Sequence, residues 1–138
     1  MKRLTVTAVL LLLCISIPSS LIAGNVEDKG KEWLDTQNNP AAINVNGTWD
    51  SEEWGVLHLR QVEGSQEVTG SGGGYEITGI VSGKRLFMLF STKRTVEYCA
   101  TLSSVSDNSL AGSYSNRKSR FKGGLCQEKT RPMNMTKK

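Results

Sequence analysis

Few side chains in this sequence could carry chemistry: one histidine, three cysteines and a scatter of carboxylates. His58 stands two residues before Arg60, so on a strand both point to one side, where an imidazole could act as a general base beside a cation. That side is opposite the apolar Leu57 and Leu59, and a histidine placed there is more often a surface or rim residue. Many serines with a single histidine supply no nucleophile elbow or other local signature of a Ser-His-Asp triad. Glu52 and Glu53 form an acidic pair, but in a turn beside Trp54 they read as solvated carboxylates rather than a glycosidase pair. One histidine and two cysteines in an oxidising compartment leave too few soft ligands for zinc. Gly72-Gly73-Gly74 does not lead into a helix N-terminus with a lysine, so it does not read as a phosphate-cradling loop. These residues point away from an enzyme and call for no metal or cofactor.

Export is expected from the first residues. Lys2 and Arg3, an apolar core from Val6 to Ile17, and small residues at Ala23 and Gly24 have the layout of a secretory signal peptide over 1–23. The apolar run is about a dozen residues, against the roughly 20 that a membrane-spanning helix needs. Leu13 occupies the place where lipidation wants a small residue, which counts against acylation of Cys14. The product would be periplasmic or extracellular, with about 115 residues, the size of one domain with one core. It keeps two cysteines, Cys99 and Cys126, which are expected to pair there. Closing that loop would stabilise by roughly 3–4 kcal/mol on a chain-entropy argument. Two unrelated buried thiols are the alternative.

The formal charge of +4 conceals an asymmetry. From Gly24 to Asn116 seven basic residues face twelve acids, a net of −5; from Arg117 to Lys138 eight bases face only Glu128, a net of +7. Such an end could contact anionic surfaces, but a lysine-rich terminus more commonly means a solvated tail. The segment Arg117 to Lys122 offers only Phe121 among its bases, not the interleaved aromatics of a nucleic-acid-binding strand face. Asn46-Gly47-Thr48 and Asn134-Met135-Thr136 are sequons that matter only in a glycosylating host.

The elements that must position these residues change period along the chain. Val26, Trp33 and Leu34 recur at helical spacing, with Asn25 as N-cap and acids in the first turn, which predicts a short helix over Val26–Thr36. From Ile43 the period becomes two. Eight strands are expected: Ile43–Asp50, Trp54–Val62, Gln66–Ser71, Tyr75–Ser82, Arg85–Thr92, Thr95–Ser103, Ser109–Ser115 and Arg120–Gln127. Glycine, asparagine, aspartate and serine fill the breaks, leaving no room for crossover helices. The fold class that follows is all-β, an eight-stranded antiparallel up-and-down meander or small barrel with a short N-terminal helix. Its organisation reads as a signal peptide at 1–23, helix and linker at 24–42, barrel at 43–127 and a basic disordered tail at 128–138.

Alternation assigns Val45, Gly47 and Trp49 to the inner face, with Leu57 and Leu59, then Tyr75, Ile77, Gly79 and Val81, then Val96, Tyr98, Ala100 and Leu102. Leu86 to Phe90 has no polar face, so either Trp33 and Leu34 or a partner must cover its outer side. Gly70, Gly79 and Gly112 fall inside strands, where glycine permits bending or close approach. Cys99 alternates with Tyr98 and so faces outward. On the sixth and eighth strands of a simple meander, Cys99 and Cys126 would be separated by a whole strand, too far apart for a disulfide, so Gly123-Gly124 would have to turn the chain out of the sheet.

Gly47-Thr48-Trp49 on the first strand of such a meander resembles the Gly-x-Trp signature of lipocalin and avidin-like barrels. The resemblance implies that Trp49 closes the barrel floor beneath a late-strand arginine, here Arg117 or Arg120, in a cation–π contact. It further implies a small-molecule ligand in the open end opposite Trp49. Thr95-Val96-Glu97-Tyr98 lacks the aspartate of the lipocalin Thr-Asp-Tyr-type motif, and no tryptophan follows Trp54 to build a biotin cage. The structural set is thus Gly47, Trp49, Cys99 and Cys126. The reading of function is a small-molecule-binding barrel, with an envelope or secreted protein-interaction module as the alternative.

Overall fold

The computed structural model describes residues 28–93, 95–116 and 130–138. The segment 1–23 expected to be a signal peptide, the strand expected over Arg120–Gln127, and Cys126 with its expected pairing lie outside them. A helix, α1 (Asp28–Asp35), precedes eight strands: β1 (Gly47–Ser51), β2 (Gly55–Gln61), β3 (Glu67–Gly72), β4 (Tyr75–Ser82), β5 (Arg85–Thr92), β6 (Thr95–Ser106), β7 (Ser109–Asn116) and β8 (Arg131–Lys137). Each strand pairs antiparallel with the next and β8 pairs back onto β1, closing a barrel in sequence order. Closure satisfies the backbone groups that an open meander would leave along two edges.

The basic tail expected over 128–138 is corrected by β8. Met133 and Met135 are buried in the core while Asn134 and Thr136 face solvent, the period of a half-buried strand. Its pairs Trp49↔Lys137, Asp50↔Thr136 and Ser51↔Met135 form the closing seam. A lysine-rich terminus is polar in composition, yet two inward methionines at the right spacing suffice to hold it in a sheet.

The barrel interior is filled by one cluster that includes Trp49, Leu57, Val81, Leu86, Met88, Phe90, Leu102 and both methionines. Large residues fit because glycines stand among them. A Cβ on Gly70 would meet the His58 carbonyl oxygen at 2.2 Å, and one on Gly112 the Thr101 oxygen at 1.9 Å. Neighbouring backbones therefore approach where no side chain separates them. Gly73 and Gly74, with φ of +60° and +83°, make the tight β3–β4 turn, a conformation matched to a two-residue hairpin.

One face assignment is overturned. Phe90 pairs with Tyr98 but Ser91 pairs with Val96, so Glu97 is an extra residue in β6. A bulge of this kind resets the alternation. Val96 consequently turns outward and joins Cys99, while Tyr98, Ala100 and Leu102 remain on the inner side.

Outside β5 and β6, Trp33 and Leu34 of α1 bury against Phe87, Leu89, Val96 and Cys99. The Trp33 ring meets Phe87 edge-on at 5.7 Å, and Arg85 lies 5.8 Å from the same phenyl ring. Thr36 Oγ1 donates to the Trp33 carbonyl at 2.7 Å, satisfying one of the last helical carbonyls. Beyond the helix, Ala42 N–H donates to the Gly83 carbonyl and Val45 N–H to Gln61 Oε1, both at 2.8 Å, fastening the linker to the barrel. An isolated eight-residue helix would not persist in water, so burial of Trp33 and Leu34 is what holds it. A chain beginning at Pro40 is expected to lose roughly 2–3 kcal/mol, about the burial of one large apolar side chain after the entropy regained. It should also self-associate in sedimentation velocity through the uncovered Phe87 and Leu89. A monomer of unchanged stability would remove the helix from the core.

Candidate ligand site at the barrel mouth

The two ends of the barrel differ in chemistry. At the floor, Trp49 is 1 % exposed and its Nε1–H donates to the Val45 carbonyl at 2.8 Å. Lys137 Nζ lies 5.7 Å from the centre of its ring. The expected late-strand cation is thus a lysine of β8; Arg117 and Arg120 lie outside the described residues. Gly47 makes this arrangement possible: a Cβ there would come within 2.9 Å of Lys137 Cε. The glycine and the tryptophan of the motif are therefore linked through a residue nearly ninety positions later. A cavity of about 390 Å³ opens at this end between the linker and the β6–β7 turn, bordered by Asn44, Val45, Trp49, Asp107, Asn108 and Lys137.

The mouth, opposite Trp49, is aromatic. Trp54 projects from the β1–β2 turn, Tyr75 opens β4, Phe90 lies near the end of β5, Tyr98 follows the β6 bulge and Tyr114 is near the end of β7. The Trp54 ring stacks on Phe90 with centroids 4.4 Å apart and planes at 16°. Tyr75, Tyr98 and Tyr114 meet it at steep angles, with centroids at 5.4, 4.9 and 5.3 Å. Offset stacking and edge-on contacts are the arrangements that aromatic quadrupoles favour. All three tyrosines of the chain meet at this one place, which scattered surface aromatics would not do.

Two features make the cluster more than packing. Trp54 Nε1 is buried without a hydrogen-bond partner, and leaving such a donor unsatisfied costs about 1–3 kcal/mol. The Tyr75 hydroxyl is held above its ordinary pKa, first by burial and then by the Tyr98 phenol and the Glu97 carboxylate. Like any phenol it is protonated at neutral pH and can donate, and the shift extends that to higher pH. Phe90 is fully buried beneath the tyrosines, and Met88, Leu102 and Met133 fill the barrel below it.

Of the residues first considered for chemistry, Glu52 and Glu53 precede Trp54 in its turn, and His58, Arg60 and Cys99 lie away from the mouth. His58 is exposed on the outer wall with Nδ1 3.2 Å from Thr48 Oγ1, and Arg60 is also exposed. Glu53 accepts a hydrogen bond from Ser51 Oγ at 3.0 Å in the β1–β2 turn. Cys99 is buried beneath α1 with Sγ 3.1 Å from Ser115 Oγ. Among the described residues no three metal-ligating side chains gather; Cys99 is the one cysteine among them, and Cys126, its expected partner, lies outside. No helix among them is long and apolar enough to cross a membrane.

The fold defines the class: a closed eight-stranded antiparallel β-barrel, compatible with a lipocalin-like outline. No protein family, curated protein or solved structure matches the chain.

Proposed function

We propose that this chain is an exported small-molecule-binding barrel, of lipocalin or avidin type, whose ligand docks at the aromatic mouth. The observation that carries the reading is the convergence of Trp54, Tyr75, Phe90, Tyr98 and Tyr114 around an unpartnered buried indole N–H. Ligand sites are concave, mostly apolar, and furnished with a few polar groups that fix orientation, and this end offers rings with hydroxyls. The interaction-module alternative drew on the outer face of β5, which α1 covers, and on a basic end of which part is β8. The first of these motives is met within the chain, and the mouth is therefore the preferred reading.

The experiment is a titration of 15N-labelled protein with phenol, indole and octanoate, followed by amide and indole resonances. Ring-bearing probes are expected to perturb residues around Trp54, Tyr75, Tyr98 and Tyr114, and Tyr98→Ala should weaken binding by about tenfold, the equivalent of 1.4 kcal/mol. Perturbations confined to Asn44, Asp107 and Asn108 would place the site in the floor cavity instead. No saturable shift with any probe would overturn the proposal.

A further inference from the structure

If the mouth is the ligand site, it is already occupied by part of the chain, and this second inference rests on that reading. Trp54 is the one ring of the cluster that does not come from a strand. It stands on a turn whose Glu52 and Glu53 are exposed, between Ser51 and an exposed Gly55 at φ +69°. The opposing turn carries Gly73, where a Cβ would lie 3.5 Å from the indole Cε3. Its partners Tyr75, Phe90, Tyr98 and Tyr114 are fixed in four consecutive strands, β4 to β7. The result is a slot with an apolar floor and three phenol edges, and an indole lying in it.

We propose that Trp54 is an internal stand-in for the ligand, and that a flat aromatic molecule bearing a hydrogen-bond acceptor displaces it. Three observations favour displacement. The ring is only half-buried, so leaving the slot costs it part of a side chain's burial. Its N–H has no partner in the slot and would regain one in water. Finally, the turn that carries it is flanked by glycine, which tolerates the backbone rearrangement of an outward swing.

The same geometry sets the ligand class. Stacking on Phe90 with tyrosine edges around it selects a planar ring. Donors from the tyrosine hydroxyls select an acceptor such as a carbonyl, carboxylate or phenolate. A long alkyl chain has nowhere to go, because Met88, Leu102 and Met133 fill the barrel under Phe90. The slot therefore takes one or two fused rings, the size of the indole it now holds.

An occupant in the site lowers apparent affinity by the fraction of time it is absent, and that supplies the test. Indole-3-carboxylate is titrated into the wild-type protein and Trp54→Ala, with octanoate as an acid of alkyl shape. In the wild type the Trp54 Nε1–H resonance should move to the position of a solvent-exposed indole, and Trp54→Ala should bind at least tenfold tighter, with octanoate binding neither. Trp54→Leu carries the same comparison should the alanine variant fail to fold. Wild-type binding at the mouth without a gain in the variant would overturn the stand-in while leaving the mouth reading intact. Binding by the variant alone would make Trp54 a permanent plug and overturn displacement. Octanoate binding as well as the aromatic acid would overturn the ligand class, and binding of neither probe to either protein would overturn the mouth reading itself.

Discussion

Trp49→Ala is expected to lower the free energy of unfolding by about 3–5 kcal/mol, the range for truncating a buried tryptophan, read from the midpoint of a urea transition. Three losses add at that position. The ring is almost wholly removed from water, and its deletion leaves a void bordered by Val45 and Leu110 that the strands cannot collapse to fill. The Val45 carbonyl loses its 2.8 Å indole donor, and Lys137 loses the ring beneath its ammonium. Trp49→Phe separates these terms. It retains a ring under Lys137 but no N–H, and should fall between the wild type and alanine. A loss below about 1 kcal/mol for Trp49→Ala, within the range of surface substitutions, would discard the floor assignment.

Ending the chain at Thr130 is expected to abolish cooperative unfolding. The truncation removes Met133 and Met135, each a core side chain whose loss typically costs about 2–5 kcal/mol, and it exposes the paired edges of β1 and β7. The sum is comparable with the whole stability of a domain this size, about 5–15 kcal/mol. Circular dichroism should lose its sigmoidal thermal transition, and the shortened protein should aggregate through the opened edges. The double substitution Met133→Ala and Met135→Ala keeps the backbone pairing and should show a lowered but still cooperative transition. Wild-type stability in the chain ending at Thr130 would mean that β8 does not close the barrel.

Sequence by itself determined what depends on neighbours two or three positions apart. The bounds of β4 and β5 coincide with the strands read from the sequence, because the alternation of β4, the continuous apolar run of β5 and the Gly83-Lys84 break between them are all local patterns. The need to cover Leu86–Phe90 on both sides was legible for the same reason, and Trp33 and Leu34 were the nearest apolar pair outside the strands. Trp49 could be assigned to the floor from its motif and its alternation with Val45. The partners across the barrel could not be read this way. Lys137 reaches Trp49 only because β8 returns to β1, and the Met133/Met135 alternation is too short to outweigh a run of lysines until a strand on each side is there to pair with it. The bulge at Glu97 reverses Val96 through one unmatched residue in a long-range register, which leaves no mark on the local period. The aromatic mouth was hidden most completely. Trp54, Tyr75, Phe90, Tyr98 and Tyr114 stand on five different parts of the chain, and only closure of the sheet makes them neighbours, since burial selects the inward face of each strand separately while the pairing of all eight sets which inward residues share a level.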